Sequence, residues 1–282
     1  MRFLEKSSGY HVVSRAAFRR FLFDDEGKRK FVDLMRRQAA FCGAEISAFC
    51  VMSNHFHLLV SFLNDPIPQT DRELLRRYRR LYPQGEWLSE KTLSPDRLGL
   101  ILKEGGQEAE HVKAKLHARM GDLSVFVKEL KQRFSIWFNR HRDNVGTLWE
   151  SNFKSQIVQN DSGVVRKVAA YIEMNPVRAG IVERPEDYEW SSLGLLKMRS
   201  SSIRDSVFRL WFGDAGLSEA TLAECNMHSE RDRRLLRAGC IGTPEFVGKI
   251  CQKFLPKRSA GSKPVSYYES SSDVVTLRKV SP

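Results

Sequence analysis

The stretch from Ile46 to Phe62 constrains the fold most, because it is rich in β-branched and aromatic residues and has a turn signal at Ser53-Asn54. We expect an antiparallel hairpin of two strands joined at this turn. Side chains alternate between the two faces of a strand, so His55 and His57 share one face while Phe56 points into the core. Two neutral imidazoles on one face are half of a metal site. The alternative is a pair of strand histidines satisfied by ordinary hydrogen bonds.

The composition is that of a globular protein with a strong positive charge. Lys and Arg number 46 against 34 Asp and Glu, which gives a net charge of +12. This excess favours a polyanionic partner, because binding phosphates releases counterions, although a basic protein with solvated lysines is the alternative. No apolar run reaches the length of a membrane span, and the first residues lack the apolar core of a signal peptide. We therefore expect a cytoplasmic protein with no membrane partner, and reduced thiols at the five irregularly spaced cysteines.

The chain is predicted to contain one interrupted domain. Residues 1–64 and 122–192 carry its strands and helices, and residues 65–121 are a mostly helical insertion. Beyond it, we expect a small helical appendage over residues 193–255 and a flexible tail over residues 256–282.

The insertion has a basic cluster interleaved with aromatic residues, namely Arg76, Arg77, Tyr78, Arg79, Arg80, Tyr82 and Trp87. Such a pattern suits single-stranded nucleic acid, because bases stack on rings while cations follow the phosphates. An amphipathic helix that packs Tyr78 and Leu81 against the body of the protein explains the same pattern equally well.

A helix that begins near Asp161 must end at Asn175, because Pro176 disfavours the helical conformation of the preceding residue. Val164 and Val168 define its buried stripe, and the helical period of about 100° per residue continues that stripe to Tyr171 and Asn175. The face that docks therefore ends in a phenol and a carboxamide.

If the end of this helix lies over the histidine strand, His55, His57 and Asn175 provide two nitrogen ligands and one oxygen ligand. Such a set suits Mg²⁺ or Mn²⁺, with Tyr171 one helical turn (~5.4 Å) away as a nucleophile for a phosphodiester. Tyr171 taken alone is more simply a core residue, and Asn175 has a rival role as the C-terminal cap of the helix.

Four segments resemble the single-tyrosine HUH transposases, and most closely their REP-associated tyrosine transposase branch. They are Tyr10–Arg15 (YHVVSR), Val51–Val60 (VMSNHFHLLV), Gly146–Glu150 (GTLWE) and Tyr171–Gly180 (YIEMNPVRAG). Their order and spacing agree with that family across roughly residues 10–192. Two departures are the long insertion and Asn152, which stands where relatives often have an arginine.

The resemblance implies an α+β fold with a ferredoxin-like (RRM-like) antiparallel sheet and helices packed on one face. It also implies His55 and His57 as metal ligands, Tyr171 as the nucleophile and Asn175 as the third ligand. The implied activity is cleavage and rejoining of single-stranded DNA near hairpins through a 5′-phosphotyrosine, by a monomer or homodimer. The candidate DNA contacts are Arg15, Arg19, Trp149, Lys154 and Arg178.

Two other functional classes remain. One is a non-catalytic single-stranded nucleic-acid-binding regulator on the same scaffold, and retention of both histidines and Tyr171 argues against it. The other is a metal-dependent hydrolase, which needs a general base near the metal. The acidic residue of the metal motifs, Glu173, is turned away from Tyr171 by helical geometry, so the hydrolase ranks last.

Overall fold

The computed structural model describes residues 8–19, 21–83, 92–198, 238–254, 266–269 and 275–278. The chain divides into two compact units. Of the described residues, the first unit contains Phe23–Glu45 and Ser61–Leu148, and the second contains residues 8–22, Ile46–Val60 and those from Trp149 onward. The predicted insertion is therefore grouped with the helices on either side of it rather than standing alone.

Helices make up most of the described part of the first unit. They are α1 (Asp25–Cys42), α2 (Asp71–Leu81), α3 (Pro95–Glu104), α4 (Gly106–His117) and α5 (Leu123–His141). Asp24 and Asp122 begin α1 and α5 by accepting hydrogen bonds from the backbone N–H groups of Gly27 and Val125. The apolar stripes of these two long helices meet in the core, where the rings of Phe31 and Phe134 lie 5.4 Å apart.

The aromatic residues of the basic cluster on α2 are part of the core. Tyr78 is 2% exposed and its hydroxyl donates to Leu93 O, while Tyr82 is also buried. Arg76 and Arg77 both pair with Glu73 on the same helix. The structure thus favours the amphipathic-helix interpretation of this segment, and Trp87 lies outside the described residues.

A seven-stranded sheet, most of it in the second unit, has the order β2-β3-β1-β4-β5-β7-β6. The strands are β1 (Ser8–Arg15), β2 (Ala44–Val51), β3 (His55–Phe62), β4 (Lys154–Gln159), β5 (Ala238–Gly242), β6 (Ser266–Glu269) and β7 (Val275–Arg278). β1 is central and pairs antiparallel with both β3 and β4. With α1 between β1 and β2 and α5 between β3 and β4 in the sequence, the order β2-β3-β1-β4 is that of a ferredoxin-like fold. The predicted α+β class is confirmed.

The sheet is larger and less uniform than the predicted antiparallel one. β5 pairs parallel with β4, so the complete sheet is mixed. The parallel pairing brings in a strand from the far end of the chain, a long-range connection that local sequence patterns do not encode.

The described part of the second unit also contains four helices and two short 3-10 turns. The helices are α6 (Ser162–Glu173), α7 (Asn175–Arg178), α8 (Ser192–Met198) and α9 (Pro244–Phe254), and the turns are Ala17–Arg19 and Pro185–Asp187. In the part of the chain that the structure describes, none of the helices is long and apolar enough to cross a membrane.

The C-terminal predictions fall partly outside the described residues, which omit 199–237, 255–265, 270–274 and 279–282. Within residues 193–255 the described residues belong to α8, α9 and β5 and the short link between β5 and α9. Within the predicted flexible tail the structure has β6 and β7. These strands are short, and pairing of β7 with both β5 and β6 provides the hydrogen bonds that a single short strand lacks.

Candidate functional site

The register of β1 and β3 places both histidines of the predicted site on one face of the sheet. Val13 pairs with His57, and Arg15 pairs with His55. Because residues directly opposite in an antiparallel pair share a face, these four side chains lie on the same side. Phe56 faces the other side, where its ring meets Trp149 edge to face at a centroid distance of 5.7 Å. The shared face of the histidines is therefore confirmed. The predicted β-hairpin is confirmed as well, because β2 and β3 are hydrogen-bonded neighbours in the sheet and Met52 N donates to His55 O across their turn.

The register of β1 and β4 extends this histidine face, which we define as the sheet face that carries His55 and His57. His11 pairs with Gln156, and Val13 pairs with Lys154. His11 is two residues from Val13 and so faces the same way.

Helix α6 brings Tyr171 to the histidine face. Asp161 begins the helix by accepting from the N–H groups of Gly163 and Val164. The Tyr171 ring lies 5.9 Å from the ring of His11 and 6.1 Å from that of His57, edge to face in both cases. Tyr171 is only 4% exposed.

The end of α6 is held by two polar side chains that follow it. Asn175 donates from Nδ2 to Tyr171 O at 3.1 Å and to Ile172 O at 3.0 Å. Arg178 donates to Tyr171 O at 3.0 Å, and its guanidinium carbon lies 4.2 Å from the centre of the Tyr171 ring. Both residues satisfy carbonyls that the helix end leaves without a partner. This geometry matches the capping role of Asn175 and the helix-end role of Arg178, and the two capping bonds of Asn175 use its Nδ2 rather than its Oδ1.

Sequence reasoning assigned no role to His11, although this residue belongs to a segment that carries the family resemblance. His11 is 1% exposed and lies between two partners. Its Nδ1 is 2.6 Å from Gln156 Oε1, and its Nε2 is 3.0 Å from His57 Nδ1. The signal that points to it is the alternation of β1, which puts His11, Val13 and Arg15 on one face.

Burial keeps the three imidazoles neutral. Desolvation lowers the pKa of His11 to about 4, and desolvation with the nearby Arg15 charge lowers that of His55 to about 4 as well. Desolvation also lowers the pKa of His57 well below its usual 6.5, with smaller contributions from its histidine neighbours and from Arg178. Neutral imidazole is the form that binds metals.

Glu173 is turned away from Tyr171, as helical geometry predicts. Its carboxyl is in hydrogen-bond contact with Ser192 Oγ and accepts from Leu193 N at 3.3 Å. Burial raises the pKa of Glu173 to about 7, with those hydrogen bonds acting in the opposite direction. Glu173 thus anchors the start of α8 rather than serving the tyrosine.

The other candidate DNA contacts do not all lie on the histidine face. Arg15 and Lys154 are exposed on the histidine face. Trp149 packs on Phe56 on the opposite face, which is the core role that its apolar ring favours. The backbone of Arg19 lies in the 3-10 turn, but its side chain is outside the described part of the structure.

Among the described residues, no group of three or more His, Cys, Asp and Glu side chains is arranged to hold a metal ion. The predicted set differs from such a group, because its third member is a carboxamide oxygen. His55 and His57 have ring centroids 5.0 Å apart, and both have Nδ1 in a hydrogen bond, to Asn54 Oδ1 and His11 Nε2 respectively. Each ring therefore has Nε2 left to offer to a cation.

Comparison with known proteins gives a family and a solved structure. Among curated proteins, none matches the chain. One solved structure, described as "Structure of the REP associates tyrosine transposase bound to a REP hairpin", is 16% identical, with a TM-score of 0.43, over 71% of this chain and 84% of that one. Residues 5–70, which contain β1, the β2–β3 hairpin, His55 and His57, match the family model described as "Transposase IS200 like", and this is the family to which the chain is similar.

Proposed function

We propose that this protein is a metal-dependent tyrosine transposase that cleaves and rejoins single-stranded DNA near hairpins. The observation that carries the proposal is the meeting of Tyr171 with His57 on one sheet face, with ring centroids 6.1 Å apart although the residues are far apart in sequence. The match of residues 5–70 to an IS200-like transposase family supports the same class of activity. The hairpin substrate follows from the resemblance of the four sequence motifs to the REP-associated branch.

The donor set fits Mg²⁺ or Mn²⁺. His55 and His57 would bind through Nε2 and Asn175 through Oδ1, and mixed nitrogen and oxygen ligands suit these ions. When bound, the ion supplies charge neutralisation and polarisation at a non-bridging oxygen of the scissile phosphate. The low pKa of His55, about 4, keeps that ring in the ligand form at neutral pH.

Tyr171 provides the nucleophile in this proposal. Its phenolic oxygen forms a bond to phosphorus while the bond from phosphorus to O3′ breaks. The phenol loses its proton, and the departing oxygen gains one as the 3′-hydroxyl. The product is a 5′-phosphotyrosine, and attack by a 3′-hydroxyl in the reverse direction rejoins a strand. Arg178 holds the phenol ring in place through its contact with the ring face.

DNA would approach the histidine face through its cationic rim. Arg15 beside His55 and Lys154 beside Val13 are both exposed there. Phe18 follows Arg15 closely in the chain and is 86% exposed, an arrangement that suits stacking on an unpaired base. These contacts position the phosphate backbone and a base without requiring a duplex.

The test is a covalent adduct assay with purified protein, hairpin-bearing single-stranded DNA and Mn²⁺ or Mg²⁺. We expect an adduct that migrates as protein plus the 3′ portion of the DNA, and none from Tyr171→Phe. Tyr188→Phe is the matched control, because the Tyr188 hydroxyl is also buried and bonds Val51 O, yet lies outside the proposed chemistry. No adduct from the wild type, or the same adduct yield from Tyr171→Phe, contradicts the proposed enzymatic activity.

The second candidate is a non-catalytic binder of single-stranded DNA on the same scaffold. The observation in its favour is the burial of Tyr171, which must become exposed before its oxygen can reach a phosphate. This candidate predicts hairpin binding by the wild type and by Tyr171→Phe with equal affinity, and no adduct from either. The same set of proteins in a binding assay and an adduct assay separates the two candidates.

A further inference from the structure

We infer that His11 and Gln156 form a hydrogen-bonded relay that fixes the tautomer of His57, so that the bare nitrogen of His57 is the one offered to a metal. The inference deepens the proposed function and rests on it for the role of His57 as a ligand. His11 is a positioning residue here, because it acts through His57.

The contact between His11 and His57 is an in-plane hydrogen bond. Their rings are within 18° of parallel, and their centroids are 5.3 Å apart. That separation corresponds to the distance of 3.0 Å between the two nitrogens plus one ring radius at each side, as expected when two imidazoles meet edge to edge. Rings stacked face to face would not bring Nε2 of one onto Nδ1 of the other.

The direction of the hydrogen bond between His11 and His57 follows from the contact that His11 makes with Gln156. Gln156 presents Oε1, which only accepts hydrogen bonds, to His11 Nδ1 at 2.6 Å. His11 Nδ1 must therefore carry the proton, and a neutral imidazole has only one, so His11 Nε2 is an acceptor. His57 then has to donate from Nδ1, which leaves its Nε2 with a free electron pair.

The tautomer of His55, the other candidate ligand, is fixed in the same way by a partner nearer in the chain. His55 Nδ1 is 2.6 Å from Oδ1 of Asn54, its neighbour in the chain. The amide oxygen requires a proton on His55 Nδ1, so Nε2 is the bare nitrogen there as well. Both histidines of the pair thus have the same tautomer, one through a local contact and one through a relay across three strands.

A relay of this kind has a functional consequence. A metal-binding histidine whose other nitrogen donates to a fixed acceptor is held in orientation and cannot adopt the tautomer that blocks the metal. Loss of such a partner typically weakens metal binding about 10- to 100-fold. The relay also explains why a histidine and a glutamine are buried beside each other in the middle of the sheet.

The first test measures the tautomers directly in the metal-free protein. Two-dimensional ¹H–¹⁵N correlation spectra of protein labelled at its seven histidines distinguish Nδ1–H from Nε2–H in each ring. We expect Nδ1–H forms for His11, His55 and His57 near neutral pH. An Nε2–H form of His57 in the wild type overturns the inference without any need for a variant.

The second test changes the far end of the relay. Gln156→Leu removes the acceptor, so we expect a population of His57 with Nε2–H and Mn²⁺ affinity at least about 10-fold weaker, measured by electron paramagnetic resonance. Gln156→Glu keeps an acceptor in place, and we expect the wild-type tautomer and no loss of affinity. Gln107→Leu, on the exposed surface of α4, is the matched control.

Unchanged tautomers and unchanged Mn²⁺ affinity in Gln156→Leu contradict the relay. Neither measurement involves DNA or Tyr171, so the relay and the proposed reaction can fail separately. If the tautomers and Mn²⁺ affinities behave as expected but the protein forms no DNA adduct, the relay is supported and the proposed enzymatic activity is contradicted.

Discussion

Glu173 shows how one buried carboxyl couples the helix that carries Tyr171 to the next part of the chain. Ser192 Oγ, which the Glu173 carboxyl contacts, is also bonded to both the N–H and the C=O of Phe49 on β2. Ser192 Oγ donates to one oxygen of the Glu173 carboxyl, and the other oxygen accepts from Leu193 N. Burial raises the pKa of Glu173 to about 7, and its hydrogen bonds to Ser192 and Leu193 act in the opposite direction.

The pKa of Glu173 predicts a pH dependence of stability. The folded protein holds this proton more tightly than the unfolded chain, whose carboxyl has the usual pKa of 4.5. The resulting stability is complete below that value and is lost as the pH rises through about 7. Glu173→Gln mimics the protonated form and does not titrate. Between about pH 4.5 and 8, we expect the unfolding free energy of the wild type to fall by up to ~3 kcal/mol relative to the variant.

Urea unfolding of both proteins across this pH range measures the difference. Titration of the histidines is common to the two proteins and cancels in the comparison. Parallel stability curves for wild type and variant would show that Glu173 does not titrate in this range.

At the scale of elements, the junction of α6 and α7 caps the C-terminal end of α6 close to Tyr171. Pro176 prevents the continuation of α6, and Asn175 takes up the carbonyls of Tyr171 and Ile172. The nitrogen of the carboxamide does the capping, and the oxygen remains for the proposed metal. Under the proposed function, capping and metal binding would therefore use different atoms of one side chain.

This division predicts that the two roles of Asn175 can be separated. Asn175→Asp keeps an oxygen ligand but replaces the donor with a carboxylate facing two carbonyls. We expect a loss of about 1–3 kcal/mol in unfolding free energy with no loss of Mn²⁺ affinity. Asn175→Leu should lose both, and the exposed Asn64→Asp neither. Wild-type stability in Asn175→Asp would contradict the capping role of Asn175. Wild-type Mn²⁺ affinity in Asn175→Leu would contradict its role as a metal ligand.

At the scale of the whole molecule, the net charge of +12 predicts how the proposed DNA binding responds to salt. Each phosphate neutralised by a lysine or arginine releases condensed counterions, so affinity falls as salt concentration rises. We expect the logarithm of the association constant for a single-stranded hairpin to fall linearly with the logarithm of salt concentration, as measured by fluorescence anisotropy. Arg15→Ala should reduce that slope by about 1.

The exposed Lys115 on α4 offers a control for this measurement, since Lys115→Ala has the same charge change on a helix that carries no candidate DNA contact. An unchanged slope in Arg15→Ala would remove Arg15 from the DNA contacts. Equal reductions in both variants would indicate that overall charge, rather than a localised surface, governs the binding.

Local periodicity by itself determined the parts of the site that lie within one element. Alternation along β3 put His55 and His57 on one face, and the helical period put Val164, Val168 and Tyr171 on one buried stripe of α6. These relations depend only on backbone geometry over two to four residues. They therefore hold wherever the element packs.

Tertiary structure alone decided which side chains of different elements come into contact. The placement of His11 beside His57 and Gln156 requires the register of β1 with both β3 and β4, and the parallel pairing of β5 requires its own long-range register. Backbone hydrogen bonds between segments far apart in the chain set those registers, and a shift of one residue would turn each side chain to the other face. The sequence thus determined which side chains share an element's face, and only the folded sheet decided which of those faces meet.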